Sequence, residues 1–103
     1  MSHAREPFVV ERVQTGVRLE KRILKVLKAL AEYHDMTLGD LLEGVVLYAF
    51  DGKCAFGTES LQRIKDLKGI YGLKLDSSAS HRLIEVSPAV GPKRLKSAKR
   101  ARP

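Results

Sequence analysis

Alternation of period two opens the patterned part of the chain. From Arg12 to Leu19, Val13, Thr15, Val17 and Leu19 fall on one face and Gln14, Gly16 and Arg18 on the other, which predicts a half-buried strand. Gly16 weakens that strand because it brings no side chain to pack. The period then changes. Ile23, Leu24, Leu27, Leu30 and Ala31 stand at i, i+1, i+4, i+7 and i+8, opposite Lys21, Arg22, Lys25, Lys28 and Glu32. Glu20 to about His34 therefore reads as an amphipathic helix. After the short connection His34-Asp35-Met36, Thr37 is suited to cap a second helix with its hydroxyl. Asp40, three residues on, gives a shortened capping box, and Met36 and Leu41 hold the two positions of a hydrophobic staple. The second helix, Leu38 to about Phe50, is apolar almost all round and demands burial on several sides.

Asp51-Gly52-Lys53 ends that helix and Cys54 to Gly57 reads as loop. Thr58 is expected to cap a third helix with Glu59 in its first turn, a stripe of Leu61, Ile64, Leu67 and Tyr71, and Gly72 as its C-terminal cap. Leu73 to Val86 has no clear period; Asp76 is placed to cap a short helix containing Leu83 and Ile84. From Ser87 onward Pro88, Gly91, Pro92 and Pro103 break regular structure among six mutually repelling cations. The expected organisation is a flexible arm (1–11), a strand-helix-helix unit (12–50), a loop (51–57), a helical extension (58–86) and a disordered basic tail (87–103).

Composition narrows the function. The chain has 103 residues, enough for one small domain, and a formal net charge of +7. That charge is partitioned: +4 from Met1 to Lys28, −3 from Ala29 to Ser87 and +6 from Pro88 to Pro103. Two basic ends point to a polyanionic partner. The longest apolar run, Val45 to Phe50, is far short of the ~20 residues of a membrane helix, so no membrane partner is expected. No apolar stretch follows Arg5 as a secretory signal would require, and the single Cys54 cannot form a disulfide framework. A cytoplasmic, nucleoid-associated location is the expectation. His3, His34 and His81 lack the clustering of metal ligands. No Ser-His-Asp set, phosphate loop or paired-carboxylate motif stands out, so neither catalysis nor a cofactor is expected.

Val13 to Phe50 is a unit of 38 residues with one strand and two helices. A lone strand cannot satisfy its backbone groups, and units below about 40 residues rarely fold without metal, disulfide or oligomerisation. With neither metal nor disulfide, a two-fold dimer that pairs the two strands antiparallel is the physical solution. Val13, Thr15, Val17 and Leu19 would then pack on the helices, and Gln14, Gly16 and Arg18 would face solvent. A two-stranded ribbon fits the major groove of DNA, where arginine and glutamine make bidentate pairs with guanine and adenine.

Val17-Arg18-Leu19, a helix of about a dozen residues, a tight connection and Thr37-Leu38-Gly39-Asp40-Leu41-Leu42 together resemble the ribbon-helix-helix family of DNA-binding proteins, over about residues 13–50. The resemblance implies a mostly α fold with a two-stranded antiparallel ribbon formed between the subunits of a dimer, here with a third, C-terminal helix added. It implies a homodimeric, sequence-specific binder of double-stranded DNA, a transcriptional regulator of the repressor kind. Gln14, Gly16 and Arg18 take the base-contact positions. Met36, Thr37, Leu38 and Gly39, with Lys21, take the phosphate-contact positions, in keeping with the anion affinity of helix N-termini. The expected dimer core is Val17, Leu19, Leu27, Leu41, Leu42, Val45 and Val46. Two positions depart from the family pattern. Gly16 offers no side chain to a base, and Asp35 stands where glycine often ends the first helix, although Asp tolerates the left-handed conformation better than most residues. In the tail, Lys93, Arg94, Lys96, Lys99, Arg100 and Arg102 supply non-specific polyanion contact. The alternative reading is an antitoxin-like or other protein-interaction module whose residues 58–86 bind a partner protein.

Overall fold

A computed structural model describes residues 7–87 and 91–92. It is mostly helical, with α1 (Lys21–Tyr33), α2 (Leu38–Phe50) and α3 (Thr58–Tyr71) joined by short turns. Glu20 caps α1 with its side chain, its carboxylate accepting from the Ile23 amide at 2.8 Å. The Thr37 hydroxyl caps α2, accepting from the Asp40 amide at 3.0 Å. The expected helix limits hold for α1 to within one residue and for α2 at both ends. At α3 the cap is Gly57 rather than Thr58, which is the first helical residue and makes no capping bond.

All three helices close in one way. The residue after the last turn turns left-handed, and the next amide reaches back five positions. Met36 N–H bonds to Ala31 O across Asp35 at 2.9 Å, Lys53 to Tyr48 across Gly52 at 2.9 Å, and Leu73 to Lys68 across Gly72 at 2.9 Å. The φ angles are 58° at Asp35 and 71° at both glycines. Asp35 thus does what glycine does at the other two closures.

α1 is the shared element and packs against both α2 and α3. Tyr33 and His34, at the end of α1, meet Glu59 and Ser60 in the first turn of α3, while Gly72 at the end of α3 lies beside Arg22, so these two helices are antiparallel. Leu30, Ala31 and Leu41 form the centre of the core. Leu27, Val45, Phe56, Ile64 and Leu67 pack around it. Among the described residues only Val26, Leu30, Ala31 and Leu41 are buried, whereas eighteen large apolar side chains are exposed.

After α3 the structure departs from expectation. Asp76 does cap a turn, accepting from the Ser78 amide, but that turn is a three-residue 3-10 segment, Ser77–Ala79, and excludes Leu83 and Ile84. His81, left-handed at φ 63°, turns the chain out of it. Val86–Ser87 (β1) then pairs antiparallel with Gly91–Pro92 (β2), so regular backbone pairing extends past the expected limit of order at Ser87. Pro92 is tolerated because it stands on an edge. The expected disorder at Pro88–Val90 and from Lys93 onward, like the arm before Pro7, falls outside the described residues. No helix among the described residues is long and apolar enough to cross a membrane.

Leu30 is 1% exposed at the meeting point of the helices. Leu30→Ala is expected to destabilise the fold by about 2–5 kcal/mol, measured as a drop in the urea midpoint, with the loss increasing the less the site collapses.

Candidate nucleic-acid interface

Residues 7–19 form no helix or strand, and among the described residues none of their backbone groups makes a hydrogen bond. Val13 and Val17, meant for the inner face of a ribbon, are 81% and 72% exposed, and Leu19 is exposed as well. The strand expected over 12–19 is therefore absent for a physical reason: nothing among the described residues offers it a backbone partner. Gln14, Gly16 and Arg18 are all exposed, and a Cβ on Gly16 would meet open space.

Two arginines of this segment are tied to carboxylates. The Arg12 guanidinium makes a fork on Glu43, Nε to Oε2 at 2.8 Å and Nη2 to Oε1 at 2.7 Å, and Nη2 also reaches Asp40 at 3.4 Å. Arg18 pairs with Glu85. The hydrogen bonds from Arg12, and secondarily its charge, hold the Glu43 carboxyl below the ordinary glutamate range. No local sequence signal announces the Arg12 pairs, since the partners stand 28 and 31 residues away.

The start of α2 has the features of an anion site. Thr37 occupies the Asp40 amide, and among the described residues the amides of Leu38 and Gly39 donate no hydrogen bond. Met36, Thr37 and Gly39 are exposed and Leu38 is half-buried. Free amides and the positive end of the helix favour a phosphate oxygen there. Asp40 and Glu43 oppose it, and the Arg12 fork offsets both charges from outside the helix. Arg12 is thus a cation beside the start of α2 that sequence reading does not provide. Lys21 is exposed as the first residue of α1.

The expected dimer-core residues divide into two groups. Leu41 is buried within one chain, and Leu27 and Val45 pack against the core it forms with Leu30 and Ala31. Leu42 is half-buried and Val46 exposed, and both join Ala49 and Phe50, which is 80% exposed, in an i, i+4, i+7, i+8 stripe on the outer side of α2. Val17 and Leu19 are exposed too, so the uncovered apolar surface lies on the arm and on this stripe.

A further polar group joins α1 to α3. The Tyr33 hydroxyl donates to Glu59 at 2.7 Å, the Arg63 guanidinium lies 4.4 Å from the centre of the Tyr33 ring, and Ser60 Oγ is 3.2 Å from His34 Nε2. His34 and Ser60 also line a shallow, mostly apolar depression of about 210 Å³ with Tyr48 and Phe56. These contacts fix how α3 lies on α1. Among the described residues no cluster of three or more His, Cys, Asp or Glu suits a metal ion. Lys93, Arg94, Lys96, Lys99, Arg100 and Arg102 lie outside the described residues.

Comparison with family models, with curated proteins and with solved structures finds no match for this chain.

Because Glu43 titrates lower when folded than when unfolded, its pair with Arg12 supports the fold above the ordinary glutamate range. That support fades as pH falls through the lowered value. Arg12→Ala is expected to return Glu43 to the ordinary range, seen in a carboxyl-carbon NMR titration, and to remove this part of the acid sensitivity.

Proposed function

We propose that the chain is a homodimeric, sequence-specific DNA-binding protein of the ribbon-helix-helix kind, acting as a transcriptional regulator. The observation that carries this reading is the pairing of two uncovered surfaces. One is a segment of alternating residues whose backbone has no partner among the described residues. The other is the apolar stripe Leu42, Val46, Ala49 and Phe50 on α2 of the same unit. A second copy answers both needs at once: its arm supplies the missing strand, and its α2 covers the stripe. Large exposed apolar patches on small proteins mark such contacts.

The left-handed Asp35 and the Thr37 cap support the same reading, since they give the tight α1–α2 turn the resemblance requires. In the dimer Gln14 and Arg18 stand on the outer face of the ribbon and read base edges in the major groove. Gly16 contributes close backbone approach and no side-chain readout. The Leu38 and Gly39 amides, with Lys21, hold flanking phosphates. The basic residues from Lys93 to Arg102 add salt-dependent affinity without sequence preference.

A second reading, a module that binds a partner protein through residues 58–86, is favoured by the exposed Leu61, Ile70, Leu83 and Ile84. Sedimentation separates the two. A mass of two chains for the purified protein supports the DNA-binding dimer, a stoichiometric mixed complex supports the second reading, and a monomer at micromolar concentration removes the ribbon. Selection from random duplex DNA is expected to yield a guanine-containing site, and Arg18→Ala is expected to weaken it by about 1–3 kcal/mol per half-site in an anisotropy titration.

A further inference from the structure

Arg18 does not stand free. Its Nε donates to Glu85 Oε1 at 3.2 Å and its Nη2 donates to Glu85 Oε2, so both carboxylate oxygens accept from one edge of the guanidinium. The partners are 67 residues apart in the chain. A hydrogen-bonded turn aims the intervening segment: Asp76 caps Ser78, the Arg82 amide donates to Ala79 O at 3.0 Å, and Arg82 Nη1 donates to Ser78 O at 3.1 Å. The left-handed His81 sits within that turn, and the β1–β2 pair follows Glu85 directly. Leu83, Ile84 and Val86 are exposed, so apolar packing does little to hold this strap. The sequence singles out the same residue. From Ser77 to Pro103 there are seven Lys and Arg but one carboxylate side chain, Glu85.

We infer that Glu85 is an intramolecular competitor for the base-reading arginine: a built-in carboxylate that occupies the edge of Arg18 otherwise offered to guanine. The inference rests on the DNA-binding reading above. Guanine presents two acceptors, O6 and N7, to an arginine fork. A carboxylate also presents two acceptors, with a full charge added. One edge cannot serve both, so a guanine that takes the Nε–Nη2 edge requires the strap to release Arg18. Both partners are well exposed, with side chains 82% and 57% accessible, so the pair is an exchangeable latch and not a permanent lock. Segments held by few buried contacts are the ones that open most readily.

The test uses the full chain and a short guanine-containing DNA duplex, with wild type, Glu85→Gln, Arg18→Ala and the double variant compared by fluorescence anisotropy. Circular dichroism checks that helix content is retained. Two pairs per dimer, each of the strength usual for exposed ion pairs, predict that Glu85→Gln binds roughly two- to thirtyfold tighter than wild type. In the Arg18→Ala background the same substitution is expected to change nothing. Binding by Glu85→Gln alone also supports the latch. An equal gain in both backgrounds overturns it, because the effect is then general charge repulsion. Equal affinity of wild type and Glu85→Gln, with Arg18→Ala weakened, overturns the latch and leaves the DNA-binding reading standing. If neither wild type nor Glu85→Gln binds, or if Arg18→Ala binds as wild type does, the latch and the base-reading role fall together.

Discussion

The burial of Leu30 is the contact on which the rest of the structure depends. It lies in the last turn of α1, and its neighbours in the core come from α2 and α3 as well. Around it only three other described residues are buried. A core this narrow contributes little beyond the conformational entropy it must offset. The chain therefore makes heavy use of local devices: side-chain caps on α1 and α2, left-handed closures on all three helices, and the Tyr33–Arg63–Glu59 group that fixes α3 on α1. Each is worth little alone. Together they define helix limits that burial alone would leave loose.

What was legible in the sequence follows from the range of the forces involved. The limits of α1 and α2, the Thr37 cap and the closures at Gly52 and Gly72 are set within a few residues, and periodicity and capping chemistry report them directly. The left-handed residue at Asp35 is legible through the resemblance, as the one standing where glycine often ends the first helix. The partners of Arg12 and Arg18 were not, because ion pairs spanning 31 and 67 residues leave no periodic trace. Phe56 stands in a stretch that reads as loop, yet it packs on the core, because a single aromatic in a short connection has no period to reveal its direction. The short helix proposed around Leu83 failed at His81, where a left-handed residue ends the turn that Asp76 starts. The segment from Arg12 to Leu19 shows the opposite case: its alternation is plain, but a strand also needs a second backbone beside it, and none of the described residues supplies one.

Charge is arranged by the same logic. The net charge belongs mostly to residues beyond Ser87, so it describes affinity for polyanions in general. Under the proposed function, discrimination rests on individual guanidinium groups, and those of Arg12 and Arg18 lie on carboxylates of other segments. Arg12 offsets acids beside the start of α2, while Arg18 is engaged by the strap. The two pairs differ in what they leave behind when broken. Loss of the first exposes two carboxylates at a helix N-terminus; loss of the second frees a fork.

The three left-handed closures also differ in slack. One residue, Met36, separates Asp35 from the next cap at Thr37, whereas four separate Gly52 from Gly57 and three separate Gly72 from Asp76. A residue added in the α1–α2 turn would displace α2 against α1 with no chain to absorb the change, and one added inside either helix would rotate all that follows by about 100°. The connections after Gly52 and Gly72 have room to take up such a change. Tolerance of insertions is thus unequal along the chain. A probe, a tag or a length variation is best accommodated between Lys53 and Ala55, and the stretch from His34 to Thr37 is where chain length itself is under constraint.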